Sequence, residues 1–228
     1  MFFTTSTTSR VMTGGSSTQF CLKNDICQLN EPGVLREEVD PGVIKQRIPQ
    51  HLAYACMYWA HHLRNSHMRI RDEDEVHRFL TRYFVHWLEA MSWLGKSKEI
   101  VNTVLMLQDL LGNPESDGKE VAAFVRDARR FIFKNSHAIS IAPFQVHSSA
   151  IVFSPDSSFV KQSFLSEIPE WLLATPETEN DWDPILRNWV FRNKSPTSLA
   201  FSPDAGRRPY STPLMGTKPS ALHRQGQP

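Results

Sequence analysis

The chain has 228 residues, 40% of them hydrophobic and 21% charged, so a packed core is within reach and disorder throughout is excluded. The formal net charge of +1 leaves no electrostatic footprint for nucleic acid or an anionic membrane surface. Cys21, Cys27 and Cys56 lack metal-site spacing and fit a reducing, cytoplasmic compartment. No run approaches the roughly 18 apolar residues of a membrane span.

Residues 1–20 are rich in Ser and Thr and lack the basic start and apolar run of a signal peptide. They read as a disordered leader; a transit peptide is the alternative. Residues 21–48 read as short and irregular, with turn signals at Pro32-Gly33 and Pro41-Gly42. A helical block follows over 49–173, and 174–228, rich in Pro, Ser, Thr and Asn, reads as linker and tail.

Pro49 suits a helix start, and Leu52, Cys56, Trp59 and Leu63 then share a face. The acidic segment Asp72 to Glu75 favours the positive end of a second helix, which Gly95 ends. Its apolar stripe runs Val76, Phe79, Leu80, Tyr83, Phe84, Trp87, Leu88 and Met91. A stripe that wide predicts a central helix with more than one neighbour. Ser97 is placed to cap a third helix with Ile100, Val104, Leu107 and Leu111 inward. A fourth covers 120–135, with Val121, Phe124, Val125, Ala128, Phe131 and Ile132 apolar. A fifth segment is expected over 139–153 and a short sixth over 158–164. Such helices are marginal alone, and each large side chain contributes roughly 1.5–3 kcal/mol when buried. The expected fold is therefore all-α, a helical bundle or stacked helix pairs.

No constellation reads as a complete active site, and the sequence assigns no catalytic, cofactor or metal residue. Gly95-Lys96-Ser97 resembles the end of a phosphate-binding loop, but Ala90 stands where an earlier glycine is needed and a helix precedes it. His77 and His86 are nine apart, not at the i, i+4 spacing of helical zinc pairs. A small metal-dependent hydrolase would need His61, His62 and His67 to converge with a carboxylate. Six tryptophans are the interaction candidates. Trp59, Trp87 and Trp93 read as core or inter-domain contacts. Trp171, Trp182 and Trp189, in or near the linker, read as docking on this bundle or on a neighbour. Phe-Ser-Pro-Asp occurs at 153–156 and 201–204, with Trp182-Asp183 between, which suggests propeller blades. The first copy lacks the strands of a blade, and the second is the better opening, but no blade closes.

Several strings, in order, carry a resemblance. They are Asp25-Ile26-Cys27 and Pro32-Gly33, then Ile48 through Cys56 with Tyr58-Trp59, then His86 through Ser92, Asp127-Ala128 with Arg130-Phe131, Pro143 through Val146, and Phe153-Ser154-Pro155 with Trp171. Together they resemble the region between the nucleotide-binding module and the propeller of fungal NACHT–WD-repeat proteins, the NLR-like signal-transduction ATPases. The resemblance implies a truncated member: residues 21–48 as the end of a winged-helix segment, 49–173 as a helical coupling domain, and a partial repeat opening in the tail. It implies a non-catalytic signalling role through protein partners, either the nucleotide-binding module or the propeller of a relative. A free-standing module that binds full-length relatives is the alternative.

Overall fold

Ten consecutive residues of one helix, Phe84 to Trp93, have no face toward water, and the architecture follows from covering them. The computed structural model describes residues 22–112, 117–168, 172 and 176–183, all within a unit that ends at Arg187. The leader over 1–20, Cys21, Trp171, Trp189 and the second Phe-Ser-Pro-Asp lie outside the described residues. A 3₁₀ turn at Arg36–Glu38 precedes α1 (Pro41–Arg47), α2 (Gln50–Asn65), α3 (Glu75–Trp93), α4 (Ser97–Leu111), α5 (Lys119–Lys134) and α6 (Ser136–Ile141). A π-turn at Val146–Ala150, α7 (Phe159–Ser163) and a 3₁₀ turn at Leu165–Glu167 complete the order. Every regular element among the described residues is helical, the all-α class that the periodicities imply.

α3 is the expected central helix, touching α2, α4, α6, the π-turn and α7. Its Phe84 meets Phe124 and Phe131 of α5 edge-on, with ring centroids 5.7 and 6.4 Å away. Trp87 donates its indole N–H to the Cys56 carbonyl of α2 at 2.9 Å and meets Trp59 edge-on. Cys56 itself is fully buried, and burial pushes its thiol up to about 12, so it behaves as a small hydrophobe.

Three local readings change. α1 lies in a stretch expected to be irregular; Asp40 accepts from the Gly42 N–H and Pro41 presets the first turn, signals too short to register as a period. Leu22, Ile26, Cys27 and Ile48 from the same stretch join the main core. The segment over 139–153 is broken. Pro143 has no N–H to give the Ile139 carbonyl, and the Ser92 hydroxyl donates to that carbonyl instead. Ser97 is already helical rather than a cap, because the turn from α3 to α4 is tight.

That turn is a Schellman stop: Lys96 N–H bonds the Met91 carbonyl at 2.9 Å and Gly95 N–H bonds the Ser92 carbonyl at 2.8 Å. Gly95 takes φ +70, and a Cβ there would sit 2.7 Å from Arg36 Nη2. Arg36 is held in place because its Nε donates to the Trp93 carbonyl at 2.9 Å, covering the negative end of α3.

The acidic segment before α3 divides its work. Asp74 caps α3 by accepting from His77 N–H. Asp72 instead reaches across to the start of α5, accepting from Gly118 N–H at 3.1 Å and Val121 N–H at 2.9 Å.

Gly95→Ala is expected to destabilise the chain by about 1–3 kcal/mol in urea unfolding, through the left-handed backbone and the Arg36 collision. Adding Arg36→Ala should restore the steric part alone, so the double variant should unfold at a higher urea concentration than the sum of the singles predicts.

Candidate functional site

α3 carries two ionisable residues on its buried length, His86 and Glu89, one helical turn apart. The carboxylate of Glu89 lies wholly inside the protein and collects three N–H groups. Its Oε1 accepts from the Ile26 backbone N–H at 3.0 Å and from the Trp93 indole N–H at 3.2 Å. Its Oε2 lies 2.9 Å from His147 Nε2, on the π-turn.

His147 is also buried, and its other nitrogen, Nδ1, lies 2.9 Å from Glu167 Oε2 in the last 3₁₀ turn. Glu167 Oε1 in turn pairs with His86 Nε2 at 2.9 Å. An ionised carboxylate only accepts, so facing carboxylates at both nitrogens require His147 to be doubly protonated. Burial works against that charge. The hydrogen bonds and charges of Glu167 and Glu89 outweigh it and raise the group from 6.5 to about 9. Burial likewise opposes charge on Glu167, and the hydrogen bonds from His147 and His86 overcome it, lowering the group from 4.5 to about 2.

Aromatic rings wall the network: Phe164 stands edge-on to His86 at 6.0 Å, and Phe144 lies 5.8 Å from His147. His86 Nδ1 is buried with no partner among the described residues. His86, His147 and Glu167 offer ligand-type atoms within 4.8 Å of one another. Among the described residues, His61, His62 and His67 form no such group with a carboxylate.

The interaction candidates fall as follows. Trp59, Trp87 and Trp93 are buried in this chain's own interior. Trp182 packs against the core, and its indole N–H donates to Asp127 of α5. Asp127 also accepts from Ser158 Oγ and Val160 N–H, both at 2.8 Å, so one carboxylate holds the start of α7 and the 176–183 segment together. Beside it, the buried Lys161 donates to the Ser154 carbonyl, Asp156 Oδ1 and Thr178 Oγ1. The first Phe-Ser-Pro-Asp is thus used as a turn into a helix, with α7 helical as its sequence suggests.

Sequence reasoning did not single out Glu89, His147 or Glu167. One signal was available: Glu89 follows Trp87-Leu88 and precedes Ala90-Met91 on the widest apolar stripe of the chain, and an ionisable group there needs partners.

The chain is similar to vegetative incompatibility protein HET-E-1 of Podospora anserina. The two are 34% identical over 198 residues, 82% of this chain. HET-E-1 is a fungal NACHT/WD-repeat protein, and the match supports relation to that family. The chain spans 14% of HET-E-1. No family model matches, and no solved structure matches. Among the described residues no helix is long and apolar enough to cross a membrane.

Two outcomes are expected. Glu89→Ala strands the Ile26 and Trp93 donors and one face of a buried imidazolium, and should cost about 3–5 kcal/mol in urea unfolding. In metal-free protein, the contribution of His147, whose group is raised on folding, is complete below pH 6.5 and lost as pH rises through about 9. That of Glu167, whose group is lowered, is complete above pH 4.5 and lost as pH falls through about 2. Thermal midpoints should therefore be highest between these windows and fall from pH 6.5 to 9, with a shallower fall in Glu167→Gln.

Proposed function

We propose that this chain is a non-catalytic helical coupling segment of an NLR-like signalling protein, with residues 49–173 as its helical domain. The observation that carries this reading is the 34% identity with HET-E-1 across 82% of a chain whose described residues form one helical core. Such a segment works by helix–helix contact: a rigid block between a nucleotide-driven module and a sensing propeller transmits displacement only if its own packing does not yield. The continuous burial of α3 and the cross-chain carboxylates Glu89, Asp72 and Asp127 suit that demand. Gly95-Lys96-Ser97 fits a helix stop, with Lys96 N–H spent on the Met91 carbonyl rather than aimed at a phosphate.

A second reading, a free-standing module that binds full-length relatives, draws on the apolar side chains left outside. Phe153, Phe159 and Leu165 are exposed, at 65%, 47% and 51%.

The purified chain is expected to turn over no ATP, in the presence of magnesium and alone. Hydrolysis that co-purifies with the chain and disappears in Lys96→Ala would overturn the first reading. The two readings separate in a binding titration with the nucleotide-binding module of HET-E-1. Association that weakens in Phe153→Asp and Phe159→Asp supports the free-standing module, whereas association indifferent to both supports coupling through another face.

A further inference from the structure

We infer that His86, His147 and Glu167 form a binding site for one divalent zinc-type cation, with Glu89 as the residue that positions His147. Three separate elements supply the ligands: the middle of α3, the π-turn and the last 3₁₀ turn. His147 Nδ1 and His86 Nε2 face the two oxygens of the same carboxylate, each at 2.9 Å. In a tetrahedral zinc site with bonds of about 2.0–2.2 Å, neighbouring ligand atoms stand roughly 3.3 Å apart. The two histidine–carboxylate spacings need to open by a few tenths of an ångström, and the widest spacing in the group, up to 4.8 Å, needs to close by roughly 1.5 Å, so binding draws the two histidines together.

Charge favours the same occupant. Glu89 and Glu167 bring two carboxylates into a mostly apolar interior around His147, a setting in which a cation is a suitable counter-charge. Two imidazoles and one carboxylate suit zinc and its first-row neighbours, whereas calcium and magnesium take oxygen ligands. Glu89 supplies the outer support that such sites use: it accepts from His147 Nε2 and so leaves Nδ1 as the ligand atom. Its own oxygens are already engaged by Ile26, Trp93 and His147, so it is not itself a ligand. The π-turn that presents His147 is a rare geometry that occurs often at functional sites. Glu167 is partly exposed, at 19%, which gives the ion and a fourth, water ligand a way in.

The test uses the full 228-residue chain, stripped with a chelator and titrated with zinc against a chromophoric competitor. The expected result is one zinc per chain, a thermal midpoint that rises with zinc, and binding at least about tenfold weaker in Glu167→Gln and His86→Gln. Binding should be unchanged in the double variant His61→Gln, His62→Gln. Cobalt(II) added to the stripped wild-type chain should give the intense visible bands of a four-coordinate nitrogen and oxygen site, a readout that does not depend on any variant folding. Absence of stoichiometric zinc binding, a cobalt spectrum of the hexa-aquo type, or binding that survives Glu167→Gln and is lost with His61 and His62 would each overturn the assignment.

Discussion

A single carboxylate placed where water cannot reach it organises this fold. Glu89 sits at the centre of α3, and an ionisable group at such depth is tolerated only when its oxygens are fully used. The N-terminal segment, α3 itself and the π-turn each contribute one donor. The constraint reaches outward. The Ile26 N–H is delivered by a turn in which Asp25, Gln28 and Asn30 all adopt positive φ, and such residues persist where their surroundings hold them. Asp25 steadies that turn by accepting from the Leu29 and Asn30 N–H groups. His147 then draws in Glu167, and Glu167 draws in His86, which closes the network back onto α3.

The same device recurs on a smaller scale. Asp72 and Asp127 each satisfy backbone donors at the start of a helix they do not belong to. Lys161 does the converse with its three N–H groups, taking up the Ser154 carbonyl, Asp156 and Thr178. Side chains that are polar, short of solvent and far apart in sequence thus fix the relative positions of elements whose apolar faces alone would allow sliding.

The helices were legible because their period is a property of neighbouring residues. The stripe from Val76 to Met91 specified a central helix, and Gly95 specified where it stops. The network was not legible, because the residues that complete it come from distant stretches: His147 lies 58 residues from Glu89, and Glu167 a further 20 from His147. No period or motif connects them, and only burial of Glu89 makes partners obligatory. The tryptophans show the opposite limit. Composition flagged all six as adhesive, yet whether an indole faces its own core or a neighbour is decided by tertiary packing, and Trp59, Trp87 and Trp93 face inward.

The trans-capped helices have a kinetic meaning. α5 begins with Gly118 N–H and Val121 N–H held by an acceptor 46 and 49 residues away, and α7, five residues long, has its first turn held by one 33 residues away. The start of α5 has no local side-chain cap, because Gly118 has none to offer, whereas α7 also has Ser158, which accepts from Lys161 N–H at 3.2 Å. The first turn of α5 must therefore wait for a loop of that length to close before it becomes stable, which adds a non-local step to the folding of an otherwise helical protein. A helical chain of this size would ordinarily assemble from its neighbours outward; this one sets the start of α5 on a contact that closes only from far along the chain.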